Sequence, residues 1–327
     1  MPSRTGSRPG IPLALLALGA LGALGISLGV GSASISPEQL WAIALGEGNP
    51  LARTMVVELR LPRALSAFAV GGLLAVAGAL MQVLLRNPLA DPYVLGISGG
   101  AAIGALGAML LGLGGWLSST SAFGGALFST LLVFGLAHGR GGWAPTRLLL
   151  TGVVVASGWG AMITLMLSMT PAERLPSMLY WLMGDLSYAR TPGLPLLLLT
   201  LTCVVLMPLG RSLNVLARGP QQAAALGVEA RPLEWGIYAM ASLLTAVAVT
   251  TAGSIGFVGL VVPHMLRLVL GNDQRLTLPA CALAGGTLLL LADTLARTVI
   301  APEQLPVGVI TALLGVPTFL FLLYRSG

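Results

Sequence analysis

The sequence predicts an all-α, polytopic membrane protein of about ten transmembrane helices. Three observations lead there. The chain is 56% hydrophobic and only 9% charged over 327 residues, where a soluble domain would carry roughly a quarter charged. Its mean hydropathy is +0.91. Its apolar stretches also recur in runs of about 20 residues, the length at which a helix crosses a bilayer.

The same composition excludes other classes. The net charge of +6 comes from 17 basic and 11 acidic residues, and every basic residue is arginine. No basic run is interleaved with aromatics, so no nucleic-acid partner is expected. A chain without lysine cannot contain the GxxxxGK[ST] phosphate loop, so it does not bind ATP by that motif. Cys203 and Cys281 lie inside apolar spans and read as packing residues rather than a disulfide or metal pair. His138 and His264 fall in separate segments, and no histidine or carboxylate cluster suggests a catalytic centre, a metal or a cofactor.

Taken in order, polar residues 1–10 with Arg4 and Arg8 precede an apolar run at 11–30. That run exceeds the roughly 7–15 residues of a signal-peptide core, so it reads as the first span. Residues 34–59, with Glu38, Glu47, Arg53 and Glu58, read as interfacial. The second span covers 62–86 and ends in Asn87-Pro88-Leu89-Ala90-Asp91-Pro92, a double turn in which each proline follows a capping residue. The third opens at Tyr93 and sets Gly96, Gly100, Gly104 and Ala108 four apart, a spacing that lets helices approach closely in lipid.

The fourth span covers 121–137, followed by a polar turn with His138, Arg140, Pro145 and Arg147. The fifth, 148–169, repeats the small-residue register at Gly152, Ala156 and Gly160, and sets Met162, Met166 and Met169 on one face. A connector at 170–191 holds Tyr180 and Trp181 as interfacial aromatics, and the sixth span covers 192–209. Residues 236–270 form one apolar tract that as a single helix would overshoot the bilayer by about 20 Å. Ala252-Gly253-Ser254-Ile255-Gly256 offers a turn inside it, so it reads as two shorter spans, before final spans at 278–299 and 306–324.

Between the sixth and seventh spans lies a polar island, 211–235, with Arg211, Arg218, Glu229, Arg231 and Glu234. Pro220 suits a first helical turn and Gly227 a helix end, so the island reads as two short helices in water, a handle for another protein. The layout places most arginines on the island's side, among them Arg86, Arg147, Arg211, Arg218, Arg231, Arg267 and Arg275, together with both termini. The richer side should be cytoplasmic. On the other side, Arg60, Arg63 and Arg297 sit at span ends, where snorkelling to lipid phosphate is the plain alternative to a binding role. Asp293, four residues before Arg297, can pair with it on one helix face.

Several ordered stretches resemble the FecCD-type permease subunits of ABC importers for iron chelates, haem and cobalamin. They are ELRLPRALSAFAVGGLLAVAGALMQVLLRNPLADPYVLGISGGAAIGA (58–105), LNVLARGPQQAAALGV (213–228), GSIGFVGLVVPHMLRLVLG (253–271), LLLLADTLAR (288–297) and LPVGVITALLGVPTFLFLL (305–323). The resemblance implies a type II ABC importer permease, one transmembrane domain over residues 1–327 that pairs with a copy of itself. Two cytoplasmic ATPase subunits and a periplasmic substrate-binding protein are its implied partners, and the inner membrane its site. By the same resemblance Leu213, Asn214, Leu216, Gly219, Gln222, Ala223, Leu226 and Gly227 couple to the ATPase within cytoplasmic coupling helices at 213–235. Arg60, Arg63 and Arg297 dock the binding protein, Asn87, Leu89, Pro145 and Thr146 form the cytoplasmic gate, and Met162, Met166 and Met169 face the translocation path. The family commonly has an acidic residue directly after the island's glycine, whereas this chain has Gly219-Pro220-Gln221-Gln222. Iron chelates, the commonest cargo of the family, are the favoured cargo, and an ion-gradient-driven secondary transporter is the alternative function.

Overall fold

A computed structural model of the chain describes residues 10–31, 33–137 and 145–326, and all regular structure among them is helical. Helix α1 spans Gly10–Gly29, α2 Pro37–Ala44, α3 Pro50–Thr54 and α4 Leu61–Leu84. After a 3-10 turn at Pro92–Leu95 come α5 Ile97–Leu110, α6 Trp116–Ala137, α7 Pro145–Ser168, α8 Leu175–Met183 and α9 Gly193–Leu216. The last five are α10 Pro220–Ala225, α11 Ala230–Ala252, α12 Val258–Leu270, α13 Gln274–Thr298 and α14 Val307–Ser326. Seven of the described helices are long and apolar enough to cross a membrane, and α5, α12 and α14 add three shorter apolar ones. His138 and Arg140 of the fourth-to-fifth turn, Arg4 and Arg8 lie outside the described residues.

Helix α4 is the centre of the bundle. Every residue from Ala69 to Leu84 is buried, and α13, α11, α12 and α9 pack around it. Close approach at this depth requires the absence of side chains. A methyl on Gly71 would overlap the Gly285 carbonyl oxygen of α13, and one on Gly78 would overlap the Gly259 carbonyl of α12. The predicted register of α5 works the same way against α6, where Gly100 meets the Gly125 carbonyl and Gly104 the Ser121 carbonyl. Gly152 of α7 lies against Val94, but Gly160 faces open space, so the fifth-span row is only partly a packing row.

The second span starts earlier than its Leu61-Pro62 signal. Pro62 has no N–H and its ring crowds the preceding turn. A π turn at Met55–Arg60, closed by Leu61 N–H to Val56 C=O, widens the helix just before it, so α3 runs continuously into α4. The predicted break in 236–270 is present. Gly253 ends α11 with φ +69, and a side chain there would overlap the Trp181 carbonyl.

The island is corrected. It holds one short helix, not two, because α9 continues to Leu216 and the segment after Glu229 is already the first turn of α11. Gly219, at φ +117, breaks the chain after α9, and Pro220 restarts it as α10. Gly227 at φ +74 closes α10 by a Schellman pair, with Val228 N–H on Ala223 C=O at 2.9 Å and Gly227 N–H on Ala224 C=O at 3.1 Å.

Gly78→Val forces a branched side chain into the Gly259 backbone, so a loss of several kcal/mol is expected, at or beyond the roughly 1–3 kcal/mol of ordinary overpacking. In thermal unfolding in detergent, Gly22→Val serves as the control, since a Cβ at Gly22 meets nothing within 4 Å.

Candidate functional site

Arg60, Arg63 and Arg297 converge, at the end of the bundle opposite the island, on one cleft of about 350 Å³ that is also lined by Ser187, Arg190 and Gln304. Asp293, wholly buried on α13, holds two of them. Arg63 Nε lies 3.1 and 3.0 Å from its two oxygens and Nη2 2.8 Å from Oδ1, while Arg297 Nε lies 3.2 Å from Oδ2. Two guanidiniums on one carboxylate leave a positive excess in a poorly solvated place. A buried carboxylate is tolerable there because Arg63 hydrogen-bonds it through Nε and Nη2 and Arg297 adds a second ion pair.

Each arginine also ties helices together. Arg63 Nη1 donates to Gln304 Oε1 at 2.8 Å. Arg297 Nη2 donates to Ser27 Oγ of α1 at 3.0 Å. Arg60 is 6% exposed and donates to the carbonyls of Leu28 at 2.7 Å, Gly29 at 3.2 Å and Ala33. The Asp293–Arg297 pair was legible from its spacing of four. Arg63 on that carboxylate was not, and lipid snorkelling does not describe any of the three.

Arg190 is the residue that sequence reading passed over. It sits in the 170–191 connector, is exposed, and lines the same cleft. Among the described residues both ion pairs involve Asp293, so Arg190 has no carboxylate within salt-bridge distance. Its position in a polar connector carried no periodic signal.

At the island end, the predicted coupling residues divide into two sets. Leu213, Leu216, Gly219 and Ala223 are buried and seat α10 on the end of α9. Gln222, Leu226 and Gly227 face outward, with Leu226 65% exposed. Asn214 faces inward, against the turn before α13. Its Nδ2 donates to Asp273 Oδ1 at 2.8 Å and its Oδ1 accepts from Gln274 N–H at 2.8 Å. Desolvation would push the Asp273 carboxyl up, but the bonds from Asn214 and the Arg275 N–H, with the Arg275 charge, hold it below the ordinary carboxylate range.

The gate candidates lie in their two turns. Asn87 Oδ1 accepts from Leu89 N–H at 2.9 Å, leaving Leu89 42% exposed. Thr146 is exposed at the start of α7, and the side chain of Pro145 lies outside the described residues. Helix α7 is the barest long helix apart from its packed side, with 11% of its apolar window buried. Met162 and Met169 are exposed, but Met166 packs against the small cluster of Ala105, Leu106, Ala122 and Met178. A second exposed strip carries Gly160 with Ser157, Thr164 and Ser168, and the three hydroxyls bond back to their own helix at 2.8 to 2.9 Å.

Comparison with known proteins bears on these features together. The family model of the FecCD transport family matches residues 18–325. The hemin transport system permease protein HmuU of Yersinia pestis is 40% identical over 325 residues, covering 97% of this chain and 94% of the relative. The vitamin B12 import system permease protein BtuC of Escherichia coli O127:H6 is 38% identical over 299 residues, covering 90% and 91%. YvrB of Bacillus subtilis, an ABC transporter permease protein, is 41% identical over 293 residues, covering 86% and 82%. A metal-chelate type ABC transporter solved in an inward-facing conformation superimposes with a TM-score of 0.87 at 32% identity, over 97% of this chain and 100% of that one.

Asp293→Asn removes the charge that two guanidiniums share and is expected to cost about 3–5 kcal/mol. Arg190→Ala, at an exposed site, should stay within about 0.5 kcal/mol. Unfolding temperatures in detergent separate the two.

Proposed function

The chain belongs to the FecCD transport family, and from that premise we propose that it is the permease subunit of an ATP-binding-cassette importer. Its cargo is a preassembled metal chelate (haem, cobalamin or an iron siderophore), with iron chelates the first to test. It works in the inner membrane as a pair of identical permeases, both termini cytoplasmic, with two cytoplasmic ATPases and a periplasmic binding protein. Relatives named for hemin and vitamin B12 support the cargo class.

The observation that carries the reading is α10. Ala223, Leu213 and Leu216 clamp this six-residue helix rigidly onto α9, while Gln222 and Leu226 project outward from it. A short rigid projection on the arginine-rich end suits a handle gripped by an ATPase. Closure of the ATPases would move α9, and through Asn214 the start of α13, toward or away from the Asn87–Leu89 and Pro145–Thr146 turns. At the other end, the arginine cleft takes carboxylates of the binding protein, one permease to each lobe. Arg63, Arg297 and the exposed Arg190 supply the field, whereas Arg60 serves mainly to hold α1. Between the ends, α7 lines the path. Hydroxyls already bonded to their own backbone can face a passing chelate without offering it a tight trap.

The test is uptake into vesicles holding the permease with its ATPase and loaded binding protein. Uptake should require ATP and ignore an imposed proton gradient. Gradient-driven uptake without ATP would establish the secondary transporter instead. Such a carrier would need an acidic group near mid-membrane, but Asp293 lies near the end of α13 and is already bracketed by two arginines.

Two variants probe the mechanism. Gly227→Val places a β-branched residue at φ +74, straining the closure of α10 by about 1–2 kcal/mol, and should lower ATP-coupled uptake while the bundle stays folded. Arg190→Glu should weaken binding-protein docking most at low salt, read by binding to vesicles across a salt series.

A further inference from the structure

A second arginine-rich pocket lies at the island end. Its volume is about 510 Å³, and it is walled by the end of α4 (Gln82, Arg86), the end of α9 (Asn214, Arg218) and the α12–α13 junction (Arg267, Asp273). Three guanidiniums face a space whose one lining carboxylate, Asp273, is already engaged by Asn214 and Arg275. From the other packed elements, Glu234 of α11 lies in the field of Arg86 and of Arg231 on its own helix, but no ion pair joins it to either.

Two details show that the pocket is incompletely satisfied. Arg267 donates through Nη2 to Gln82 Oε1, but its Nε is buried with no partner. Gln274 Oε1, on a residue 3% exposed, is also unpaired. Buried polar atoms in native proteins are nearly always bonded, so these mark a place completed by something that enters.

Arg86 adds a conformational argument. It ends α4 at φ +48, with Asn87 N–H on Gln82 C=O at 3.2 Å, the position that glycine ordinarily takes. Only Phe257 shares a positive φ among the described non-glycine residues. A left-handed arginine costs about 1–2 kcal/mol against glycine, and here its guanidinium Nη1 reaches to 3.6 Å from where a Cβ of Gly219 would stand. The side chain that the strain preserves therefore ends beside the root of α10.

We propose that this pocket receives an acidic side chain of the cytoplasmic ATPase, a second contact beside α10 that fixes the orientation of the ATPase on the handle. This rests on the handle reading given above. Continuity with α10 selects the occupant: Arg218 lies two residues before Pro220, so an ATPase gripping Leu226 covers the pocket mouth. The charge selects its chemistry, since a guanidinium fork binds carboxylate by paired hydrogen bonds.

The experiment measures binding of the purified ATPase to the full-length permease in nanodiscs of zwitterionic lipid, at low and high salt. The double variant Arg86→Glu/Arg218→Glu should lose roughly tenfold or more in affinity and most of its salt dependence. Arg86→Lys/Arg218→Lys should retain binding in part, and an unchanged unfolding temperature of the glutamate pair would show that it fails for charge and not for fold. An ATPase with one surface acid reversed to arginine should restore binding to the glutamate pair. Unchanged binding by the glutamate pair, alongside a large loss for Leu226→Glu, would overturn the pocket and leave the handle standing. If Leu226→Glu also binds normally, the handle reading itself fails. A loss that appears only when anionic phospholipid is added to the nanodiscs would assign the pocket to a lipid headgroup and overturn the proposal.

Discussion

The bundle depends on backbone meeting backbone. In lipid no hydrophobic gain drives one apolar helix onto another, so association rests on close packing. Here that packing is achieved where α4 presents glycine to carbonyl oxygens of α12 and α13 at Gly78 and Gly71. The contacts fill α4's surroundings so completely that it cannot serve as a lining of any passage. The exposed functional surfaces fall to more peripheral helices, above all the sparsely buried α7, and to the ends of the bundle.

Helix α13 shows how the two ends relate. It lies against α4 along its length and is tied at both extremities. At its start Asn214 of α9 grips Asp273 and Gln274, and near its end Asp293 and Arg297 hold Arg63 of α4 and Ser27 of α1. A displacement of α9 at the island is thus applied to a helix whose far end anchors the arginine cleft. The two polar nodes are of different kinds. The cleft node is an ion-paired hub buried deep enough to be structural, whereas the island node is a neutral amide on a charged cap, weaker and easier to shift.

Much of this was legible in the sequence, and the reasons differ by residue. Gly100 and Gly104 announced their contact because a helical interface repeats at a fixed spacing, and Gly253 announced a break because no bilayer accommodates the tract around it. The Asp293–Arg297 pair was visible because it is local. Arg63 is bound to the same Asp293 from 230 residues away, and Asn214 finds Asp273 from 59 residues away. Such pairings depend on the tertiary path and leave no periodic trace. The second island helix was misread for a related reason. Glu229, Arg231 and Glu234 look like a separate polar unit, but Glu229 is the N-cap of α11 and the other two lie in its first turns, Arg231 exposed and Glu234 buried. Gly160 fitted the small-residue row and yet faces open space, because the row on α7 continues past the helices that cover its first half.

The π turn before α4 has a phase consequence. A π turn holds one residue more than an α turn, which rotates everything upstream of it by about 100° relative to an unbroken helix. At this turn Arg60 addresses the carbonyls at the end of α1 while Arg63, three residues on, addresses Asp293 on a different neighbour. The widened turn therefore acts as an angular vernier: a chain shortened by one residue within 55–60 would keep its helix and swing the α2–α3 segment out of register with the outer face.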